Sequence, residues 1–498
     1  MKIKTYLWML LACLACAACE DLEDTYDEFA GNGEIRYTGS CTNLQVTPGW
    51  KRLVVTWENT VDPVVVNTMV RWTLNGVADS VVLDKTATAY DITGFNGAPE
   101  LANETYEVVV CTIDNQGKVT PSLPRVGRPY TEAHEEITRL VRKQYYVGDR
   151  LVLFFTDWQG SIESAAITYT NANTNKTETL ELDSMLVSQK YYIVEEPVKG
   201  LATLKRTGRL ADCPDLITFA DYELRDDKLY TADFLKMMRV KEGFQEIPAD
   251  WAEKQKEVDY DESCTSFEDI LNLPNLETIY LGRNRYLTEE GAASTEGQCM
   301  VYDSVCSNFV LEAAHELLGV EVVRYNEHYP SVICDFIEER GNTNEQPEFT
   351  YKDLTGKKFT SNPADPAAYP SGLEYLTDGD PTTSWKPAST SQSVDYELTL
   401  DLGSVQQING LKFVQRDYGS DREMAWFAPS VMKIAVSNNG ATWEYATYVE
   451  EVPLGNSTGE TCFVPFVSGG KQARFIRLAM TSQGFSSYSV TLAEIGVY

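Results

Sequence analysis

Strict two-residue alternation constrains the C-terminal third of this chain more than any other feature. In the run SVDYELTLDLG, Val394, Tyr396, Leu398, Leu400 and Leu402 share one side of an extended chain. Asp395, Glu397, Thr399 and Asp401 share the other. Successive side chains of a strand point to opposite faces, so such a run buries one face and wets the other. VMKIAVSNNGATWEY adds a strand, an Asn-Gly turn and a second strand, and ARFIRLAM adds another. Short antiparallel strands at this density predict a β-sandwich or jelly roll over residues 351–498.

Strand signals also fill the N-terminal half. LQVTPGWKRLVVTW reads as two strands split by a Pro-Gly turn, with Leu53, Val55 and Trp57 on one face. MVRWTLNGVADSVVL reads as a hairpin around Asn75-Gly76. Residues 41–130 are therefore predicted as one sandwich, and 131–210 as a second, less regular Ig-like β-domain. Residues 211–350 are a mixed α+β segment, with helices at FLKMMRVKEGF and NFVLEAAHELLG. Between them Leu276, Ile279, Leu281 and Asn284 match the spacing of one leucine-rich-repeat unit. One such unit cannot bury its own core and no second copy is visible, so an ordinary helix–strand pair is the preferred reading. The expected fold class is mostly β and multidomain.

The chain begins MKIKTYLWMLLACLACAACEDLED. Lys2 and Lys4 precede an apolar run, Tyr6 to Ala18, too short to span a bilayer. Residues 1–18 read as a signal peptide. Cys19 follows small residues and is the expected lipidation site, with Cys16 the weaker candidate. Glu20, Asp21, Glu23 and Asp24 come next, which resembles the surface-export signal of Bacteroidota lipoproteins. Residues 19–40 would then be a lipid anchor and acidic tether, and the protein a lipid-anchored one of the outer membrane, at the cell surface. The alternative is an ordinary signal peptide with incidental cysteines.

Asp plus Glu outnumber Lys plus Arg by 74 to 42, for a net charge of −32, and no basic run breaks the excess. Nucleic acid is therefore not an expected partner, because phosphate binding needs clustered cations. Beyond the leader and Cys19 stand Cys41, Cys111, Cys213, Cys264, Cys299, Cys306, Cys334 and Cys462. No CxxC occurs among them, so neither a zinc site nor a dense disulfide framework is predicted. A disulfide among Cys264, Cys299, Cys306 and Cys334 stays open. The histidines are His134, His315 and His328. HELLG at 315–319 lacks the second His of a zinc-protease helix, and no GxSxG or GxxxxGK[ST] motif occurs. The chain is not expected to be an enzyme, and residues 211–350 are the one stretch where paired carboxylates could still form a catalytic site.

Five motifs in order give the last domain its resemblance. They are YLTDGDPTTSW (375–385), DYELTLDLG (395–403), KIAVSNNGATW (433–443), ARFIRL (473–478) and LAEIGVY (492–498). Together they resemble the discoidin family, also called coagulation-factor type C (galactose-binding-like), and within it the family 32 carbohydrate-binding modules. Residues 41–130 resemble a fibronectin type III domain through Trp57, Leu101 and Tyr106. The whole N-terminal stretch is similar to an uncharacterised Bacteroidota lipoprotein domain family with no assigned chemistry.

The discoidin resemblance implies a structural calcium held by the Tyr375 carbonyl, Asp378, Asp380, Thr383, Ala493 and Glu494. The alternative is an Asp-Gly turn without an ion. The resemblance also implies a carbohydrate ligand on loops at one end of the sandwich. Lys386 follows Trp385, which is expected in the core. The loop 415–429 carries Arg416, Asp417, Arg422, Trp426 and Phe427, and 481–489 carries Phe485 and Tyr488. Lys386, Arg416 and Tyr488 rank first as ligand contacts, while Trp426 and Phe427 fit either a platform or the core. Lys386 stands where sugar-binding members often have His, so galactose specificity is not implied. The expected function is a cell-surface lipoprotein that binds an extracellular glycan, beside a surface uptake complex. The alternative is an adhesin or scaffold that binds a protein, with the β-domains as spacers.

Overall fold

The computed structural model describes residues 38–95, 103–134, 139–287, 297–341, 345–357, 359–363, 372–419 and 425–498. The leader, Cys19, most of the tether, Leu101 and Arg422 lie outside the described residues. The fold is mostly β, as expected, with several sheets and few helices. It divides into two compact units. The first holds Met1–Arg139, Gln159–Ala165 and Lys205–Asp221, and the second holds the rest.

In the first unit, strands Thr42–Gly49, Arg52–Glu58 and Ala89–Ile92 form one sheet. Val65–Leu74, Val77–Asp84, Tyr106–Asp114, Val119–Pro121 and Arg125–Gly127 form the other. Leu53, Val55 and Trp57 alternate inward and meet Val70, Trp72, Val108 and Val110 in a shared core. The hairpin turn has positive φ at both Asn75 (49°) and Gly76 (81°), the geometry for which Asn-Gly is selected.

Residues 141–224 are strand-rich, with Val141–Val147, Arg150–Phe155 and Tyr191–Ile193 forming a three-stranded sheet. Next in the second unit comes a four-stranded sheet of Glu257–Tyr260, Thr278–Leu281, Glu321–Tyr325 and Ile337–Arg340. All of its pairs are parallel, and the strands sit side by side in chain order. The leucine-rich-like unit is the second rung of this ladder, and it pairs with a parallel strand on each side rather than with a single helix. Leu276, Ile279 and Leu281 are buried in a core shared with helices Ala232–Glu242 and Ser304–Leu318. Thr231 and Asp303 cap the helix starts by accepting from Phe234 N and Cys306 N, and left-handed Gly243 and Gly319 end them. The Asn284 amide donates to the Asp261 carboxylate at 2.9 Å, tying the turn after one rung to the turn after the previous rung.

Residues 351–498 form the expected sandwich. One sheet runs Thr360–Asn362, Asp395–Ile408, Lys471–Thr481, Val431–Ser437 and Glu444–Tyr445, with Glu451–Pro453 beside Val431–Ser437. The other is Thr461–Pro465, Gly410–Val414 and Glu494–Val497. Tyr396, Leu398, Leu400 and Leu402 point inward against Trp385, Ile434, Ile476, Phe413 and Ile495. The parallel ladder is joined to this sandwich by Arg285. Its guanidinium forks onto Glu460, with Nη2 to Oε2 at 2.9 Å, and Thr461 N donates to Tyr286 O at 2.7 Å. All eight described cysteines are free, and burial pushes the Cys299 and Cys306 thiols up to about 11.

Candidate functional site

Strand pairing defines one end of the C-terminal sandwich. Asp395 pairs with Thr481 and Lys433 with Ala479, while Val414 pairs with both Thr461 and Glu494. Loops 383–394, 454–460 and 482–493, with the described segments 415–419 and 425–430, therefore emerge together, and they are cross-linked. Leu454 N donates to Ser430 O, Thr491 N to Phe427 O, and Thr390 and Tyr488 exchange both backbone bonds. Buried Gln415 staples two of these loops, donating to Pro429 O (3.0 Å) and Gly455 O (2.6 Å). No sequence pattern marks Gln415, which simply follows an apolar strand.

The structure sorts the sugar-site candidates. Phe485 is 87 % exposed and Trp426 51 % exposed. Phe427 turns inward against Tyr418 and Ala428, which leaves Trp426 as the open ring of that pair. The Lys386 ammonium lies 5.3 Å from the Phe427 ring centroid, a cation–π distance. A Cβ on Gly484 would sit 3.2 Å from the same ring, so the base of the Phe485 turn packs there as well. Phe427 is thus a packed ring that both the Lys386 ammonium and the Gly484 backbone approach, with Trp426 and Phe485 next to those contacts in sequence. Tyr488 is half-buried in the adjoining bridge to Thr390. Arg416 is half-buried on the neighbouring loop, where Gly459 N donates to its carbonyl. Asp417 is exposed, but its carboxylate accepts from Thr458 Oγ1 and Gly419 N, both at 2.9 Å, and so serves the loop itself. Trp385 is in the core, hydrogen-bonded through its backbone to Leu492.

The DGD loop lies against the last strand. Gly379 N donates to Glu494 at 3.1 Å, and Thr383 Oγ1 donates to Asp378 at 2.9 Å. Burial, and then the facing Asp378 carboxylate, push Glu494 up to about 7. Asp380 instead accepts from Thr382 N and Oγ1, at 3.0 and 2.7 Å. Asp378, Glu494 and the Thr383 hydroxyl offer only oxygen atoms, the donor type calcium takes, and among the described residues no group of three or more His, Cys, Asp or Glu side chains is placed to hold a metal ion.

Two buried carboxylates of residues 211–350, Glu268 and Asp269, are held by neighbouring cations and hydroxyls, while Asp259, Asp261 and Glu262 line a cavity. Glu268, which burial alone would raise, is drawn down by Arg142 (2.9 Å) and Lys143 (3.2 Å). Asp269, pushed up to about 6 by burial, is bonded by Thr231 N at 2.7 Å and by the Thr231 hydroxyl. Both acids are committed to a structural network.

Comparisons with known proteins agree with the fold of the last domain. Residues 358–494 match the F5/8 type C domain family, so the chain ends in a discoidin-type domain. Residues 19–195 match a family described as a domain of unknown function, DUF4998. No curated protein matches the chain. Similar solved structures include chitosan-binding module 1 of a chitosanase/glucanase from Paenibacillus sp. IK-5, at 23 % identity over 28 % of this chain and 94 % of that one, TM-score 0.22. Another is CBM32-3 of a family 31 glycoside hydrolase from Clostridium perfringens, at 17 % identity over 30 % and 94 %, TM-score 0.24. A third is the C-terminal domain of a chitobiase from Bacteroides fragilis, at 19 % identity over 30 % and 97 %, TM-score 0.24.

Proposed function

We propose that the protein binds an extracellular carbohydrate at the loop end of its discoidin-type domain and is held at the cell surface by a lipid on Cys19. The observation that carries the reading is the exposure of Phe485 and Trp426 on loops locked by backbone bonds, with Lys386 set over the Phe427 ring in the same loop cluster. Saccharides present C–H faces to aromatic rings and hydroxyls to charged or amide groups, and both kinds of partner stand here. The F5/8 type C family match supports the same surface. The three-on-five strand arrangement of the first unit supports the fibronectin-type reading of residues 41–130, a spacer role.

The full-length protein should give hits on a glycan array, and the Trp426→Ala/Phe485→Ala variant should bind its best hit roughly 10- to 100-fold more weakly, at about 0.5–1.5 kcal/mol per ring. Intact cells should capture that glycan, and Cys19→Ala cells should lose capture while the protein moves to the soluble fraction. An array without hits, or an unaffected double variant, overturns the carbohydrate reading. Capture of a protein ligand through the same rings would replace it with the adhesin reading.

Calcium at Asp378, Thr383 and Glu494 would pin the first loop of the domain to its last strand. Calcium at about 100 times its dissociation constant should stabilise the protein by about 2.7 kcal/mol. A melting curve of chelator-treated protein should rise on calcium addition, and that rise should vanish in Asp378→Asn. An unchanged curve in the wild type removes the ion from the reading.

A further inference from the structure

The carboxyl ends of the first two parallel strands, Glu257–Tyr260 and Thr278–Leu281, open onto a cavity of about 700 Å³. One wall is built from the residues that follow those strands, among them Asp261, Glu262, Asn284 and Tyr286. The opposite wall belongs to the C-terminal sandwich, through segments 452–456 and 462–465 with Phe349 and Tyr498. This volume lies within the usual range for a ligand pocket. The walls are fixed in advance by the buried Arg285–Glu460 pair and by the backbone bond from Thr461 to Tyr286. We propose that this crevice, bounded on one side by loop 454–460 but lined by neither Trp426 nor Phe485, is a second saccharide site that takes a neutral oligosaccharide.

Charge decides the class. Lys241 is spent on Asp261 at 3.1 Å, Arg283 on Asp259 at 2.6 and 2.9 Å, and Arg285 on Glu460. The other charged groups in the lining, Glu262 and Lys236, are one of each sign. A charged ligand would therefore meet no surplus countercharge, whereas hydroxyls can use Glu262, Ser263, Lys236 and Asn456 as acceptors and donors. The apolar complement is a row of rings. Tyr286 packs edge-on to Phe463 at 5.4 Å, Phe463 against Phe349 at 5.5 Å, and Phe349 stacks on Tyr498 at 3.8 Å and 8°. Phe349 is 37 % exposed, so it is a supported ring with part of its surface open. Rings beside uncharged-ligand donors and acceptors are what a sugar's two kinds of surface require.

The test uses the full-length Trp426→Ala/Phe485→Ala protein, in which the loop end is disabled. Saturation-transfer NMR is run with cellohexaose, xylohexaose, mannohexaose, chitohexaose and maltohexaose. At least one should still receive saturation, and adding Phe349→Ala or Glu262→Gln should weaken it at least tenfold with the melting temperature held. No transfer to any of the five, or transfer that neither added variant weakens, overturns the second site. Failure of the loop-end reading looks different: wild type and the loop-end variant would bind equally, and only the crevice variants would lose the ligand.

Discussion

Replacing Arg285 with alanine will lower the unfolding free energy of the full-length chain by about 3–5 kcal/mol, the cost of leaving one member of a buried ion pair alone. Arg285 is 11 % exposed on its side chain and Glu460 0 %. The guanidinium also donates to the carbonyls of Asp261 (3.2 Å) and Gly297 (3.0 Å) and to the Cys299 sulfur (2.8 Å). Truncation would strand the Glu460 carboxylate with Ser457 N, at 2.8 Å, as its remaining hydrogen-bond donor. Lysine should rescue little, because a single ammonium cannot reproduce a planar fork that satisfies several acceptors. Arg285→Met combined with Glu460→Leu should recover most of the loss, since matched apolar groups often replace a buried pair at little cost. Urea denaturation followed by fluorescence measures all three. A midpoint for Arg285→Ala equal to that of the wild type would show that the pair does not hold the ladder to the sandwich.

This clamp also marks where legibility in the sequence ends. Arg285 and Glu460 stand 175 residues apart, and neither sits in a periodic run that could announce the other. Alternation is a local signal, so 394–402, the Asn75-Gly76 hairpin and the two capped helices were readable directly. The parallel ladder was not. Its strands EVDY, EVVRY and IEER are four or five residues long, and only the second rung, TIYL, carries leucine spacing around it. Parallel pairing joins distant segments, and no hairpin turn records it. The loop end falls between these cases. Its motifs located the loops, yet Trp426 and Phe427 are adjacent in an irregular segment, where no period decides which ring faces out. Packing against Tyr418 and Ala428 settles that, and neither contact has a sequence signature.

The largest pH effect should come from His328. Its ring is fully buried, Nδ1 accepts from Cys299 N at 3.0 Å, and Nε2 has no hydrogen-bond partner among the described residues. Gly282, at φ 78°, lies so close that a Cβ there would meet the ring at 2.3 Å. Burial first, and then the charge of Arg285, pull its pKa down to about 3 from an ordinary 6.5, against a smaller opposing pull from Asp261. A depressed folded-state pKa means that below pH 6.5 the unfolded chain binds a proton that the folded chain refuses. The associated stability is present in full above pH 6.5 and is lost as pH falls towards 3. The loss is about 3 kcal/mol by pH 4.5 and about 4 kcal/mol by pH 3. Asp269 works in the opposite sense, because its pKa is raised to about 6, so its contribution is present in full below pH 3.8 and disappears as pH rises through 6. The total slope mixes His328 with Asp269, Glu494 and the other shifted groups, and subtraction of a variant isolates the His328 part. His328→Gln keeps an acceptor for Cys299 N but cannot titrate, so its unfolding free energy should fall by about 3 kcal/mol less than the wild type's between pH 7.5 and 4.5. Arg285→Ala should shrink the same acid loss, because removing the guanidinium lets the folded-state pKa of His328 rise. Parallel pH–stability curves for wild type and His328→Gln would mean that the imidazole reaches water in the folded protein, and the account of this core as closed around a neutral ring would fail.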